Sequence, residues 1–287
     1  MLFTVITVSF KAGNKLKDTV QQILKQDYTD FEILVKDGNS TDDSILLLRN
    51  ALKEVGYTEK EQEAEENAKY ILCEKNASPR VRIYCEKDSG IYDAMNHAVA
   101  KAEGEFVIFM NCGDRFYEDT VLSKTAERVN ENPGRRIYYG DAFFCKAGEI
   151  ISQPKEITES ICYRHMPNHQ ACFFDRTLWE KQGFQTKYRI RADYDFFLRN
   201  YFEEGIRPGY LDLCVSAYEG GGYSETKENR KRDKEEHREI VVRYMGKKRA
   251  NHYRRIMILT LQPLRTWIAQ KSIFAGAYNS LKKKIYR

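Results

Sequence analysis

Apolar, β-branched runs alternate with helical patterns through the first 145 residues, and this alternation limits the possible folds more than any other feature. Continuous apolar runs are typical of strands that lie in a parallel sheet with helices on both faces. The repeated strand–helix–strand order therefore predicts an α/β fold with a doubly wound, Rossmann-like sheet. The predicted strands are "LFTVITVSF", "FEILVKDGN", "VRIYCEKD", "EFVIFMN" and "RRIYYGDAFF".

The helices between these strands are predicted from apolar residues at helical spacing and from cap-type residues before them. Residues 57–79 are polar and charged, and we expect an exposed excursion there. The second half of the chain is less regular, although residues 208–224 indicate a strand that leads into a glycine-rich loop. The predicted helices begin near Leu16, Asn39, Ile91 and Ala192.

The charge of the chain is unevenly distributed. Residues 224–287 carry a balance of +12, whereas residues 1–223 carry −7. We therefore predict an α/β domain at 1–223 and a basic helical extension at 224–287. Aromatic and apolar side chains from Leu264 to Leu281 recur at roughly helical spacing in this extension.

The basic extension has two possible roles. A basic amphipathic helix that carries aromatic residues can lie on an anionic membrane surface. Alternatively, the helix packs on the α/β domain. We do not expect a nucleic-acid partner, because the body of the chain is acidic and no nucleic-acid-binding pattern occurs.

The sequence also indicates a compartment. Its first residues show no signal-peptide pattern, and charged and polar residues interrupt every long apolar stretch. The seven cysteines are scattered and odd in number, as is typical of reduced thiols. We therefore predict a cytoplasmic protein, with peripheral attachment to the inner face of the cell membrane as the alternative.

Polar clusters follow three of the predicted strands. They are Asp37-Gly38-Asn39, Asp88-Ser89-Gly90 and Asn111-Cys112-Gly113-Asp114. In doubly wound sheets, ligands bind beyond the carboxyl ends of the strands. The three clusters therefore predict a ligand site at one edge of the sheet.

Each cluster also has a structural interpretation. Asp37 before a glycine is common in turns, but beside the other two clusters it is a candidate to bind a nucleobase or ribose. Asp88 and Gly90 lie where a helix begins, so they can act as a cap or present free N–H groups to an anion. Asp114 is a candidate ligand for Mg²⁺ or Mn²⁺, because such ions need only one or two protein carboxylates beside phosphates.

The second half contributes further candidates. His165 and His169 have the spacing of a helical metal pair, but Pro167 between them argues against a zinc site, and His169-Gln170 could instead position a substrate. Asp193 and Asp195 begin a predicted helix, where they complement its dipole or supply a general base. Two acids at this spacing point to different sides, so only one is expected to be the base.

Taken together, several stretches closely resemble family 2 glycosyltransferases, and specifically a branch associated with bacterial surface polysaccharides. They are "TVITVSFKAGNKLKDTVQQILKQDYTDFEILVKDGNSTDDS", "EKDSGIYDAMNHAVAKAEGEFVIFMNCGDRFY", "PNHQACFFDRTLW" and "ADYDFFLR". The resemblance covers roughly residues 3–220 and implies the GT-A fold, a Rossmann-like domain that binds nucleotide sugars.

The resemblance also implies roles for individual residues. Asp37 would contact the nucleobase, usually uracil, near Ser9 and Phe10, and Asp88 and Gly90 would line the nucleotide pocket. Asn111 takes the place of the first acid of the family's Asp-x-Asp motif at the nucleotide, which leaves Asp114 as the ligand of Mn²⁺ or Mg²⁺. Asp193 takes the place of the base, with Asp195 as the second choice, although Ala192 replaces the glutamate that usually precedes it. Residues 220–222 would form a mobile flap.

The implied activity is sugar transfer from a nucleotide sugar, with UDP expected, to a hydroxyl of a glycan or lipid-linked acceptor, with inversion at the anomeric carbon. Two alternatives remain open. The reduced acid motif is compatible with a nucleotide-binding scaffold that has lost turnover. A nucleotidyltransferase would release pyrophosphate, but the N-terminal region lacks the glycine-rich loop expected of one.

Overall fold

The computed structural model describes residues 1–63, 68–220 and 227–259. Within these ranges the strands are β1 Phe3–Ser9, β2 Phe31–Asp37, β3 Thr58–Glu63, β4 Lys69–Glu74, β5 Val81–Cys85, β6 Phe106–Phe109, β7 Arg115–Phe116, β8 Ile137–Phe144, β9 Glu149–Ile151, β10 Cys172–Asp175 and β11 Gly209–Tyr218. The α-helices are α1 Asn14–Ile23, α2 Ser44–Glu54, α3 Ile91–Lys101, α4 Val121–Glu131, α5 Glu159–Arg164, α6 Ala192–Phe202 and α7 Lys227–Leu259. Two short 3-10 helices span His169–Ala171 and Arg176–Trp179.

All the strands join one mixed sheet in the order β3-β4-β5-β2-β1-β6-β10-β8-β11-β7, with β9 beside β8. The central strands β5, β2, β1 and β6 are parallel, and β10 enters antiparallel between β6 and β8. Every residue of β1 and β2 is buried, as expected for strands covered on both faces. The predicted Rossmann-like sheet with flanking helices is confirmed.

The helices bury the apolar faces that their spacing predicts. In α1, Leu16, Val20 and Ile23 are fully buried in the core beneath the sheet. Behind α3, Gly104 allows the chain to return tightly against β1, because a Cβ there would lie 2.5 Å from backbone atoms of Phe3 and Thr4. These contacts hold the parallel centre of the sheet in a fixed register.

The interpretation of residues 57–79 as an exposed excursion is wrong. This segment contains β3 and β4, an antiparallel hairpin that extends the sheet beyond β5. Ile71 and Cys73 are buried, whereas their neighbours in β4 face outward or are only partly covered. The many charges on the outer strand concealed the alternation typical of an edge hairpin.

The chain divides into two compact units, the first ending at His237 and the second beginning at Arg238. The first turns of α7 thus belong to the first unit, and the helix is interrupted at Gly246, whose φ is 74°. No helix within the described residues is long and apolar enough to cross a membrane. The predicted amphipathic segment from Leu264 to Leu281, and the predicted flap beyond Gly220, lie outside the described residues.

Candidate active site

The carboxyl ends of the central parallel strands form one edge of the sheet. Ser9 is the register partner of Asp37, and Asp37 is in turn the partner of Cys85. The backbone N–H of Gly38 donates to the carbonyl of Ser9 at 2.8 Å, which ties the loops after β1 and β2 together. The structure therefore brings together the residues predicted to bind the nucleotide base.

Asp37 is almost fully buried at this edge. Its two carboxylate oxygens accept from the backbone N–H and the hydroxyl of Ser40 at 2.6 and 2.7 Å. Phe10 is 63% exposed beside it and packs on Gly38, where a Cβ would approach the Phe10 ring to 3.0 Å. The exposed ring and the glycine form a flat surface suited to a planar ligand.

A buried lysine, which sequence reasoning missed, organises the next part of the edge. The side chain of Lys36 in β2 is fully buried, and its Nζ donates to the carbonyls of Asp37 and Glu86 and to Oδ2 of Asp88 at 2.9 Å. These three acceptors match the three hydrogens of an ammonium group. Lys36 thus fixes Asp88, and the signal in the sequence was a lysine inside an otherwise apolar strand.

Gly90 follows Asp88 and precedes α3. Its φ of 138° with ψ of 179° lies in a region that is open almost only to glycine. The backbone N–H of Gly90 donates to Oδ1 of Asp88 at 3.1 Å, while Asp93 accepts from the backbone and hydroxyl of Ser89. This turn leaves the start of α3 exposed at the same edge as Asp37.

The turn after β6 carries Asn111 and Asp114. The backbone N–H of Asp114 donates to the carbonyl of Asn111 at 2.9 Å, and Gly113 between them has a φ of 99°. Burial raises the pKa of Asp114 to about 6. Oδ1 of Asn111 is buried and has no hydrogen-bond partner among the described residues.

Asp193 begins α6 and faces this edge, with its side chain 17% exposed. Oδ1 accepts from the hydroxyl of Tyr92 at 3.0 Å and from the backbone N–H of Tyr194 at 2.9 Å. Oδ2 lies 3.1 Å from Nδ1 of His169. Tyr92 also escaped sequence reasoning, since it is 101 residues from Asp193 and nothing local marks it.

The electrostatics of the Asp193–His169 pair favour a carboxylate beside a protonated imidazole. Burial alone would raise the pKa of Asp193, but hydrogen bonds from His169 and Tyr92 and the imidazolium charge outweigh it, and the pKa lies below its usual value. Burial would lower the pKa of His169, but Asp193 and Asp114 raise it above its usual value. Asp193 is therefore ionised at neutral pH.

His169 and Gln170 lie on one short 3-10 helix that reaches both acids. His169 contacts Asp193, and Gln170 hydrogen-bonds the carboxylate of Asp114. The other ring nitrogen of His169, Nε2, is buried without a hydrogen-bond partner among the described residues. The structure thus brings the predicted positioning residues between the candidate base and the candidate metal ligand.

Asp195 does not join this group. Its side chain is fully buried, and Oδ2 accepts from the amide of Gln185 at 2.9 Å. The two acids of α6 therefore point to different sides, as their spacing predicts.

Two of the cavities in the described part of the molecule differ in their lining. The larger, about 540 Å³, lies near Arg135 and Gly209 at the amino ends of β8 and β11, on the edge opposite to Asp37. The smaller, about 200 Å³, is lined by Asp193 and His169. The candidate base and the candidate positioning residues therefore line the smaller cavity, whereas Asp37, Asp88 and Asp114 line neither of the two.

Comparison with known proteins identifies the family of this chain. Residues 4–174 match the sequence profile described as Glycosyl transferase family 2. The chain belongs to this family. It is therefore a glycosyltransferase, and the activity class expected from the sequence is confirmed.

Named relatives of this glycosyltransferase are described as glycosyltransferases of particular biosynthetic routes. A "PGL/p-HBAD biosynthesis glycosyltransferase" of Mycobacterium bovis is 27% identical over 227 residues, which cover 78% of this chain and 80% of the relative. The "putative teichuronic acid biosynthesis glycosyltransferase TuaG" of Bacillus subtilis is 27% identical over 163 residues, or 56% and 55% of the two chains.

Solved structures show the same fold at low identity. S. aureus TarS in complex with UDP has a TM-score of 0.60 at 17% identity, and the match covers 84% of this chain but only 64% of TarS. The mannosyltransferase PcManGT of Pyrobaculum calidifontis, in complex with GDP-Man and Mn²⁺, has a TM-score of 0.61 at 15% identity. The match covers 96% of this chain and 83% of PcManGT. The predicted GT-A fold is confirmed.

The glycosyltransferase offers oxygen atoms that fit a divalent ion. Asp114 is a half-buried carboxylate that pairs with no lysine or arginine of the described residues, and Oδ1 of Asn111, which has no partner among those residues, lies in the same turn. Within the described ranges, no three His, Cys, Asp or Glu side chains meet as a metal cage. A Mg²⁺ or Mn²⁺ ion held here would take its remaining ligands from phosphate and water.

Proposed function

We propose that this chain is an inverting glycosyltransferase that moves a sugar from a UDP-sugar to a hydroxyl group of a glycan or lipid-linked acceptor. The observation that carries the proposal is the environment of Asp193. Its carboxylate is ionised, borders a cavity and is held by His169, Tyr92 and its own helix. Such a group meets the geometric and protonation requirements of a general base.

The hydrogen bonds leave room for the proton that the reaction transfers. A carboxylate has about four lone-pair sites, and three of them accept bonds from Tyr92, Tyr194 and His169. The remaining site, on Oδ2, would take the proton of the acceptor hydroxyl. The acceptor oxygen attacks the anomeric carbon as the bond to the diphosphate breaks, so that the configuration inverts.

The same edge supplies the donor site in this proposal. Asp37, Ser9 and Phe10 would bind the nucleobase, and Asp88 and Gly90 would line the pocket at the ribose and diphosphate. Asn111 and Asp114 would hold Mn²⁺ or Mg²⁺, which when bound neutralises charge on the departing diphosphate. The UDP complex of TarS and the Mn²⁺ complex of PcManGT support this assignment through the shared fold.

The proposal is tested by the release of UDP from UDP-sugars in the presence of candidate acceptors. Asp193→Asn keeps the size of the side chain but cannot take a proton, so we expect a rate reduced by about 10²–10⁴-fold with UDP affinity retained. Asp18→Asn, which changes an exposed aspartate of α1, is the matched control.

A scaffold that has lost turnover would give a different result. The wild-type protein and the Asp193→Asn variant would then bind UDP equally well. Neither of them would release UDP from a UDP-sugar faster than a control reaction without protein. That result would contradict the proposed transfer and favour the scaffold, whose sequence support is Asn111 in place of an acid.

A further inference from the structure

A cavity of about 200 Å³ lies against Asp193 and is assigned to no ligand so far. One side is formed by residues 165–170, and the other by Ile190, Arg191 and Tyr194 together with Asp233 from α7. Drug-sized ligands occupy about 300–1,000 Å³, so this cavity suits a smaller group such as one sugar unit. Because Asp193 lines the cavity, a hydroxyl group bound here would meet the proposed base.

Arg191 and Asp233 form an ion pair that lines this cavity, and we call this pair the wall of the cavity. Nη2 of Arg191 donates to Oδ2 of Asp233 at 2.9 Å, and Nε lies 2.7 Å from Oδ1. Nε also donates to the backbone carbonyl of Asp233 at 3.2 Å, and a hydrogen bond between two charged groups is stronger than one between neutral groups. The guanidinium charge is therefore already compensated by the protein.

The wall is held in place by Glu236, one turn further along α7. Its carboxylate is 7% exposed and accepts from the backbone N–H groups of Arg189, Ile190 and Arg191, each at 3.0 Å. These N–H groups directly precede α6, where a negative charge is favourable. Asp233 is thus fixed relative to Asp193, and the cavity is preorganised.

The lining has a definite charge pattern. Arg191 is the one lysine or arginine that lines the cavity, and it is paired, whereas Asp193 and Asp233 both present carboxylates. An acidic sugar would bring a third carboxylate next to these two, whose charges Arg191 and His169 already compensate. An uncharged sugar would find amide, imidazole and carboxylate groups for its hydroxyls.

We propose that this cavity is the acceptor site and takes an uncharged, hydroxyl-rich sugar, and that Asp233 excludes acidic sugars by neutralising Arg191. This inference rests on the proposed glycosyl transfer. It also assigns the first turns of α7, which lie in the predicted basic extension, to acceptor selection.

The test compares matched pairs of acceptors, methyl hexopyranosides and the corresponding methyl hexuronides, with the UDP-sugar that the wild-type protein turns over. We expect the wild-type KM for each uronide to exceed that for its neutral partner by about tenfold or more, because like charges oppose binding. Asp233→Asn frees the charge of Arg191 and should reduce this ratio about tenfold, with the KM for the donor unchanged. Glu235→Gln, an exposed acid of the same helix, is the control.

A second variant keeps the test decisive if Asp233→Asn fails to fold. Arg191→Gln alone leaves the carboxylate of Asp233 without its partner, so the ratio of the uronide KM to the neutral KM should rise above the wild-type value. Wild-type preference for uronides, or an unchanged ratio in both variants, would overturn the inference while the Asp193-dependent transfer remained. If wild-type protein that binds UDP transfers to no member of any pair, the proposed function fails and the inference fails with it.

Discussion

Nδ1 of His169 lies 3.1 Å from Oδ2 of Asp193, and this contact joins the candidate base to the loop that also reaches Asp114. The loop is the short 3-10 helix that contains His169 and Gln170. The two halves of the reaction that we propose, deprotonation of the acceptor and departure of the diphosphate, therefore share one structural support.

This contact predicts a selective kinetic effect of His169→Gln. Asp193 would lose a charge-assisted hydrogen bond and part of its fixed orientation, and a small misplacement of a catalytic group can cost up to about 10²-fold in rate. We expect kcat to fall by about 10–10²-fold with little change in the KM for the donor. His252→Gln, which changes an exposed histidine of α7, should leave both constants unchanged. A loss seen in the donor KM alone would contradict this role.

Glu236 predicts a link between α7 and the stability of the active site. Hydrogen bonds to charged groups contribute about 1.5–3 kcal/mol, and a glutamine here would face one or more N–H groups with its own amide N–H. We expect Glu236→Gln to lower the free energy of unfolding by a few kcal/mol, as measured by urea denaturation, and to lower kcat as well. Glu235→Gln is the control. Equal stability of the two variants would show that the hydrogen bonds of Glu236 do not stabilise the protein.

The edge hairpin predicts a dependence of stability on pH. Hydrogen bonds from Arg49, together with the nearby Lys53, lower the pKa of Glu59 from 4.5 to about 2. A carboxyl whose pKa is lower in the folded state stabilises the protein above the unfolded pKa, and this stabilisation is lost as pH falls through the folded value. The wild-type protein should therefore be more stable than Glu59→Gln at pH 6, and the difference should shrink between pH 4.5 and 2. A difference that is independent of pH would exclude this ion pair as its source.

The second unit predicts binding to anionic membranes. Five cations after the break at Gly246 are exposed: Lys247, Lys248, Arg249, Arg254 and Arg255. Each basic residue near an anionic surface contributes about 1 kcal/mol, and the attraction weakens as salt screens it. We expect the protein to sediment with phosphatidylserine vesicles at low salt and to be released at high salt. Lys247→Glu with Lys248→Glu should weaken this binding, whereas equal sedimentation with neutral vesicles would contradict it.

Local patterns in the sequence were sufficient to predict the central strands of the sheet. Buried strands such as β1 and β2 are continuous apolar runs, and the polar residues that follow them mark the ligand edge because parallel strands end together. The hairpin of β3 and β4 was missed because its outer strand is highly charged and its pairing depends on β5. Helix α4 was missed as well.

The parts of the site that could not be predicted depend on contacts between distant residues. Tyr92 reaches Asp193 across 101 positions, and Glu236 reaches Ile190 across 46. Neither residue has a local pattern that marks it, since a tyrosine in α3 and a glutamate in a charged helix are ordinary at those positions. Only the fold shows that both support the start of α6.

The binding of nucleotides with and without Mn²⁺ tests the central claim most directly. A ligand at 100 times its Kd stabilises the folded state by about 2.7 kcal/mol, which a thermal-shift assay detects readily. We expect UDP to stabilise the wild-type protein more than GDP, dTDP or CMP, to do so more strongly with Mn²⁺, and to lose the Mn²⁺ increment in Asp114→Asn. A UDP shift that is identical with and without Mn²⁺ would contradict the metal site, and the lack of a shift with every nucleotide would contradict the donor site itself.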